Sequence, residues 1–292
     1  MRKSITLLAA LAALAACQKN APVQLDNNHP MQVHLSMGLE TKVSDTSFDE
    51  NDKVAVYMVN YVDGTPGTLL TTGNHYDCQA YTLGSVWSGE TMYWLDKTTK
   101  ADFYAFHPYA VPADVNAHSF QTATDQSTLA AYKASDFVWG KTEDVAPTKD
   151  AVRINTSHIL SNVKIIVKPG DGFTTESHAV ADIKVRVNDV LTEAVIDLAD
   201  GSVTAAGAVA DVTPYDEGEY YRAVVVPQTV ADGSELIVLT VNGVDYALKK
   251  GFTFRQGVRH KFTVTVNKTG NGINIGVSDW EEDEEDNGGA AE

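Results

Sequence analysis

Cysteine is almost missing from this chain: its 292 residues include two, Cys17 and Cys78. Long apolar runs are missing too. Beyond the first sixteen residues no stretch reaches the roughly 20 apolar residues that a membrane-spanning helix needs. Positive charge is short, with 22 Lys and Arg against 39 Asp and Glu and a net charge of −17. Nucleic acid and anionic lipid surfaces would be repelled by such a chain, so neither is an expected partner. The sequence also lacks a Walker loop, a dinucleotide fingerprint, a zincin motif and a nucleophile elbow. The eight histidines (29, 34, 75, 107, 118, 158, 178, 260) are scattered, without a pair at metal-ligand spacing. These absences argue against an enzyme and against a bound cofactor or metal.

What is present begins at the N-terminus. Arg2 and Lys3 precede an apolar run from Ile5 to Ala16 that ends in Leu14, Ala15, Ala16 and Cys17. A charged start and a short apolar core make a secretory signal, here covering 1–16. Small residues ahead of a cysteine are what a lipoprotein signal peptidase accepts. Cleavage between Ala16 and Cys17 would leave Cys17 to be acylated, with the acyl chains as the only anchor. Cys78 is then alone, so no disulfide is available within the mature chain, and it reads as a small apolar core residue. Gln18 is not the Asp that retains lipoproteins at the inner membrane, which favours the outer membrane.

Residues 17–30 are polar, with Asn, Gln and Pro, and read as a tether. Beyond them the pattern is β. Short stretches at 31–35, 53–60, 100–106, 163–168, 183–188, 221–226, 235–241, 244–249 and 261–267 are rich in Val, Ile, Tyr and Thr. They are bounded by Gly, Pro, Asn or Asp, as strands are. The sharpest local signal is 236–248 (LIVLTVNGVDYAL). Asn242-Gly243 tolerates positive φ at both central positions of a type I′ turn, so this segment predicts a hairpin. One helical stretch is expected at 125–132. Length suits two domains, and the polar stretch at 142–150 with Pro147 predicts a boundary, giving sandwiches over 31–148 and 149–280. Eight acidic residues lie between Asp279 and Glu292, and 281–292 reads as a disordered acidic tail.

Three places could carry chemistry. His158 invites a proton-shuttle reading, but without a partner cluster a strand-edge His bonded to nearby backbone is the better one. His107, in the segment FHPY (106–109), is treated alike. The aromatic segment 87–94 (WSGETMYW) could stack on a sugar ring or fill a core; we favour the core.

The ordered motifs add up to a resemblance. They are the lipobox ending at Cys17, then 48–59 (FDENDKVAVYMV), 93–96 (YWLD) with 101–109 (ADFYAFHPY), 136–140 (DFVWG) with 152–161 (VRINTSHILS), and 257–269 (GVRHKFTVTVNKT) closing on 278–280 (SDW). In this order they resemble the fimbrillin family, the Mfa-like lipoprotein subunits of Bacteroidetes type V pili. The resemblance implies an all-β fold of two transthyretin-like antiparallel β-sandwich domains in tandem, and a structural role at the outer membrane or cell surface. It implies other pilus subunits as partners, with a host surface or glycan as an adhesion target. In that family a protease removes an N-terminal segment with the first strand, and a neighbour's strand refills the groove. Here the removed strand would be 31–39 and the cut would fall between Lys42 and Val43. The family's well-known members present Arg at that place. An uncleaved subunit would stay lipid-anchored, and 258–267 or 272–280 would be the donated segment. The alternative function is a non-polymerising surface lipoprotein that binds glycan through its sandwich.

The lipid assignment is checked by fractionation: Cys17→Ser should move the protein from the membrane to the soluble fraction. A variant that still sediments with membranes would remove the assignment.

Overall fold

The computed structural model describes residues 31–39, 47–170, 183–241, 243–269 and 272–277. The expected signal (1–16), tether (17–30) and acidic tail (281–292) lie outside these residues. The first half runs β1 (Gln32–Leu39), β2 (Lys53–Asn60), β3 (Tyr76–Leu83), β4 (Trp87–Gly89), β5 (Met92–Tyr93), β6 (Ala101–His107), β7 (His118–Gln121), helix α1 (Leu129–Ala134), β8 (Val138–Val145) and β9 (Ala151–His158). The second half runs β10 (Ser161–Pro169), β11 (Ile183–Ile196), β12 (Val203–Val212), β13 (Tyr215–Asp216), β14 (Tyr221–Val225), β15 (Gln228–Val230), β16 (Glu235–Val241), β17 (Val244–Lys249), β18 (Phe252–Phe254), β19 (Arg259–Thr269) and β20 (Gly272–Val277). The protein is all-β, as its pattern predicts.

Eight strands of the first half form one sheet in the order β4-β3-β2-β6-β8-β9-β1-β5. The sheet folds over at β8–β9, which share only the pairs Val138↔His158 and Trp139↔Ser157. Gly140 marks the close crossing, because a Cβ there would lie 2.1 Å from the Asn155 carbonyl oxygen. The fold-over brings Val33, Met37, Val152 and Ile154 of β1 and β9 onto Val54, Val56, Met58 and Phe103 of β2 and β6, around Met92 and Trp94. The opposite face of β2 and β6, with Tyr57, Tyr104 and Phe106, packs against Phe137, Ile159, Leu160, Ala194 and Ile196. Both faces of β2 and β6 are therefore buried, which is why these strands read as nearly unbroken apolar runs.

In the second half, β13-β14-β10-β19-β20 faces β12-β11-β16-β17. Val163, Ile165, Val225, Phe262 and Val264 meet Val185, Val187, Ile237 and Leu239 across the interior. The expected hairpin is present: Val241 pairs with Val244, and Gly243 has φ +79°. Asn242 lies outside the described residues.

Three features depart from the expectation. Two strand pairs are parallel, β1 with β9 and β10 with β19, within sheets expected to be antiparallel. Partners about a hundred residues apart cannot be joined by a tight turn, so nothing local forces them antiparallel. The helix is displaced to Leu129–Ala134, capped by the Thr128 hydroxyl, which accepts from Ala131 N at 3.2 Å. Asp125 instead bridges to Thr213, and Gln126 N donates to the Thr213 carbonyl at 2.9 Å, holding the first half of the expected helix extended. Lastly, the halves interlock. The expected division at residue 148 falls between β8 and β9 of a single sheet, the chain changes sheet at residues 159–160, and β7 pairs with β11.

Gln126 is the polar lock between the halves. Its side chain is fully buried, accepts from Val224 N at 2.8 Å and donates to Val224 O at 2.8 Å, standing in for a neighbouring strand. Gln126→Leu keeps the size but leaves both backbone groups unpaired. At about 1–3 kcal/mol for each buried orphan, urea denaturation should show a loss of about 2–6 kcal/mol. A loss under about 0.5 kcal/mol would mean that Val224 finds other partners.

Candidate functional site: the groove filled by the first strand

β1 alternates with a period of two. Val33 and Met37 are buried and Leu35 is half-buried, whereas Gln32, His34 and Ser36 are exposed. Successive strand side chains point to opposite faces, so Val33, Leu35 and Met37 form one apolar row set into the first core. Its floor is Met92, Trp94, Val152 and Ile154. Trp94 is fully buried, edge-on to Phe103 with ring centres 5.6 Å apart.

β9 makes one wall, paired in parallel from His34↔Ala151 to Leu39↔Thr156. Val152, Ile154 and Thr156 of β9 point inward and are buried. The Thr156 hydroxyl donates to Gly38 O at 3.2 Å. β5 makes the other wall, antiparallel through Gln32↔Tyr93 and Val33↔Met92, and Trp94 N donates to Met31 O at 2.9 Å. At the far end the Trp87 indole N–H donates to Met37 O at 3.2 Å, and its ring meets Phe48 edge-on at 5.1 Å.

Each wall also has contacts of its own apart from β1. Tyr93 N donates to the Tyr76 hydroxyl at 3.0 Å, His75 Nε2 pairs with Tyr93 O at 2.9 Å, and the Tyr81 hydroxyl donates to Glu90 O at 3.0 Å. Burial pushes the Tyr81 phenol up to about 12, so it stays a neutral donor across the physiological range. These three side chains tie β5 and its approach to β3 and the turn before it. β9 in turn is fixed by β8 and by its continuation into β10. The geometry is that of a slot with two standing rims and one strand laid into it.

Ala16, Cys17, Lys42 and Val43 all lie outside the described residues. His158 sits at the end of β9 with its Nδ1 against the Asp136 carboxylate, each side chain about a quarter exposed. An acid is thus among its partners, beside the nearby backbone that the expectation named. His107 Nδ1 pairs with Lys53 O at 2.9 Å, as the structural reading has it. Cys78 is half-buried against the central core and its thiol donates to Ala110 O at 3.2 Å. Trp94 belongs to the core, and Trp87 is half-buried, so the 87–94 segment offers no open pair of indole faces for a sugar. Among the described residues, no group of three or more His, Cys, Asp or Glu could hold a metal ion. Sequence reasoning missed β5 and β9 as groove walls. The alternation of Val152, Ile154 and Thr156 was the available signal for β9; the two-residue β5 carries none.

The fold has relatives. The sequence model of a fimbrillin-like family matches residues 41–280. A candidate fimbrium subunit of Bacteroides uniformis, Fim1C, is 23% identical, with 96% of each chain covered. Among solved structures, a candidate cell adhesion protein of Bacteroides uniformis superposes with a TM-score of 0.61 at 20% identity, covering 85% of this chain and 98% of that one. A fimbrial protein of Bacteroides vulgatus gives a TM-score of 0.52 at 14% identity, covering 85% and 98%.

A carboxylate on the row that seats the strand should expel it. Val33→Asp is expected to speed amide exchange in β1 by more than 100-fold while β10 and β19 keep their protection, as read by mass spectrometry. Unchanged exchange in β1 would show that the strand is not held by this row.

Proposed function

The chain belongs to the fimbrillin-like family, and from that premise we propose that it is a structural subunit of a type V-like pilus, serving as stalk, tip or anchor. In this reading it is exported as a lipoprotein anchored through Cys17, works at the outer membrane and cell surface, and assembles by donor-strand exchange once β1 has been cut away after Lys42. Its two halves act as tandem transthyretin-like sandwich domains, β9 serving the first and β10 opening the second.

The observation that carries the reading is the slot itself. Removing β1 would strip the partners from the β9 rim, paired over six register positions, and uncover the floor beneath Val33 and Met37. Each buried backbone group left unpaired costs about 1–3 kcal/mol, and each apolar side chain of this size contributes about 1.5–3 kcal/mol by burial. An emptied slot is therefore a strong acceptor for any strand with the same alternation, and strand addition satisfies the backbone and the apolar row together. Because donor and acceptor are different parts of the chain, the contact is head to tail and propagates into a filament.

Of the two candidate donors, topology favours 272–280. β19 lies between β10 and β20 and contributes Phe262, Val264 and Val266 to the second core, so its loss would open that half. β20 is an edge strand hydrogen-bonded to β19 alone in its sheet. Its Ile273, Ile275 and Val277 repeat the two-residue spacing of Val33, Leu35 and Met37. The acidic residues that follow would remain outside the slot, where their mutual repulsion is solvated.

Two measurements on protein recovered from cells test this. The mature wild type should begin at Val43 and run on denaturing gels as heat-resistant ladders. Lys42→Ala should keep the preceding residues, show the larger mass and lose the ladder. An unchanged mature mass would refute the cut site, and a wild type that stays monomeric after processing would refute strand exchange.

A further inference from the structure

The two parallel strand pairs point to a further function: we propose that this fold bears tension along the chain, as two shear joints connected in series. β1 runs parallel to β9, in register from His34↔Ala151 to Leu39↔Thr156. β9 leads through Ile159 and Leu160 directly into β10. β10 in turn runs parallel to β19, in register from Asn162↔Arg259 to Pro169↔Val266. A pull that enters at the start of β1 and leaves at the end of β19 therefore meets the same geometry twice. In each pair the force arrives at the N-terminal end of one strand and departs from the C-terminal end of the other. The strands can separate only by sliding along one another, so the ladder bonds of a pair carry the load together. An antiparallel hairpin pulled at its open end gives way one bond at a time.

The connection between the joints has no slack. Ile159 and Leu160 are buried in the core shared by the two halves. Ile159 N donates to Phe137 O at 3.0 Å, and Gly257 N donates to Leu160 O at 3.2 Å. The Ser161 hydroxyl donates to Arg255 O at 2.6 Å, and Asn162 Nδ2 donates to the Tyr132 hydroxyl at 2.6 Å. Backbone groups of both halves thus clamp the two connecting residues, and load passes from β9 to β10 without first unravelling a linker.

β20 is mounted differently. It lies antiparallel on β19, from Thr269↔Gly272 to Val264↔Val277, so a pull on its C-terminal end directed away from the first half peels it from the edge. Once it has left, the force exits from the end of β19, where the shear joint begins. The direction of load, head to tail, rests on the proposed pilus role, in which β1 is gone and load enters through the donated strand in its slot. The first joint then holds in shear when that strand lies parallel to β9 as β1 does. The mechanical asymmetry tested below is that of the uncut chain.

Force spectroscopy on the chain from Gln18 onward, in a Cys78→Ala background, tests the idea without requiring polymers. Handles on Gln32→Cys and Thr265→Cys load both joints in shear. Handles on Gln32→Cys and Asp150→Cys unzip β1 from β9 at their shared N-terminal end, and handles on Lys168→Cys and Thr265→Cys, which are register partners, separate β10 from β19 sideways. The shear pair should rupture at several times the force of either unzipping pair. Equal forces in the three geometries, or extension in the shear pair without a force peak, would overturn the proposal. A failure of strand exchange in cells would leave these forces unchanged, so the two readings fail separately.

Discussion

The pairing of β1 with β9 is the contact on which the first half of the molecule rests. It joins the first described strand to one that begins more than a hundred residues later, and it closes a core that otherwise lies open between β9 and β5. One strand supplies both halves of the closure. Its backbone completes the ladder, and Val33, Leu35 and Met37 complete the apolar row. On the other rim, the side chains of Tyr76, His75 and Tyr81 tie β5 and its approach to β3.

The second constraint is the burial of β2 and β6 on both faces. A strand with one solvated face could let the halves move apart, but here Tyr57 and Phe106 of the first sheet pack where Ala194 and Ile196 of β11 arrive from the second half. Gln126 adds a polar key at the same junction, and β7 adds a ladder. The two halves therefore pack as one block. The fimbrillin-like membership and the groove geometry bear on the same role from independent directions.

Where local chemistry decided, the sequence was legible. Alternation marked β1, Asn-Gly marked the β16–β17 hairpin, and Val- and Ile-rich runs marked β10, β11, β16 and β19. Strands with weak intrinsic preference were not legible. β12 (VTAAGAVADV) is mostly Ala and Gly, with Gly207 at φ +81°, and it is a strand because β11 pairs along it. β3 and β8 are interrupted by polar residues and by positive φ at Cys78 and Asp144. The helix was misplaced because Gln126 N donates to Thr213 O and Thr213 N donates to Thr124 O, a tertiary contact that outweighs local helix preference. The slot was half legible: its occupant was named by the alternation of 31–35 and by the family resemblance, which extends it to 31–39, but its rims were not, because β5 is too short to show a period and β9 lies beyond the polar stretch that suggested a boundary.

By itself the sequence determined the all-β class, the turn chemistry, the acidic surface and the family, since each is written in composition, short-range spacing or ordered motifs. Tertiary structure alone decided which strands run parallel, which rim faces the first strand, and that the chain changes sheet at Ile159 and Leu160. Those are matters of register between segments far apart in the chain, and register is selected by which apolar rows can share one core, a choice no window of neighbouring residues contains.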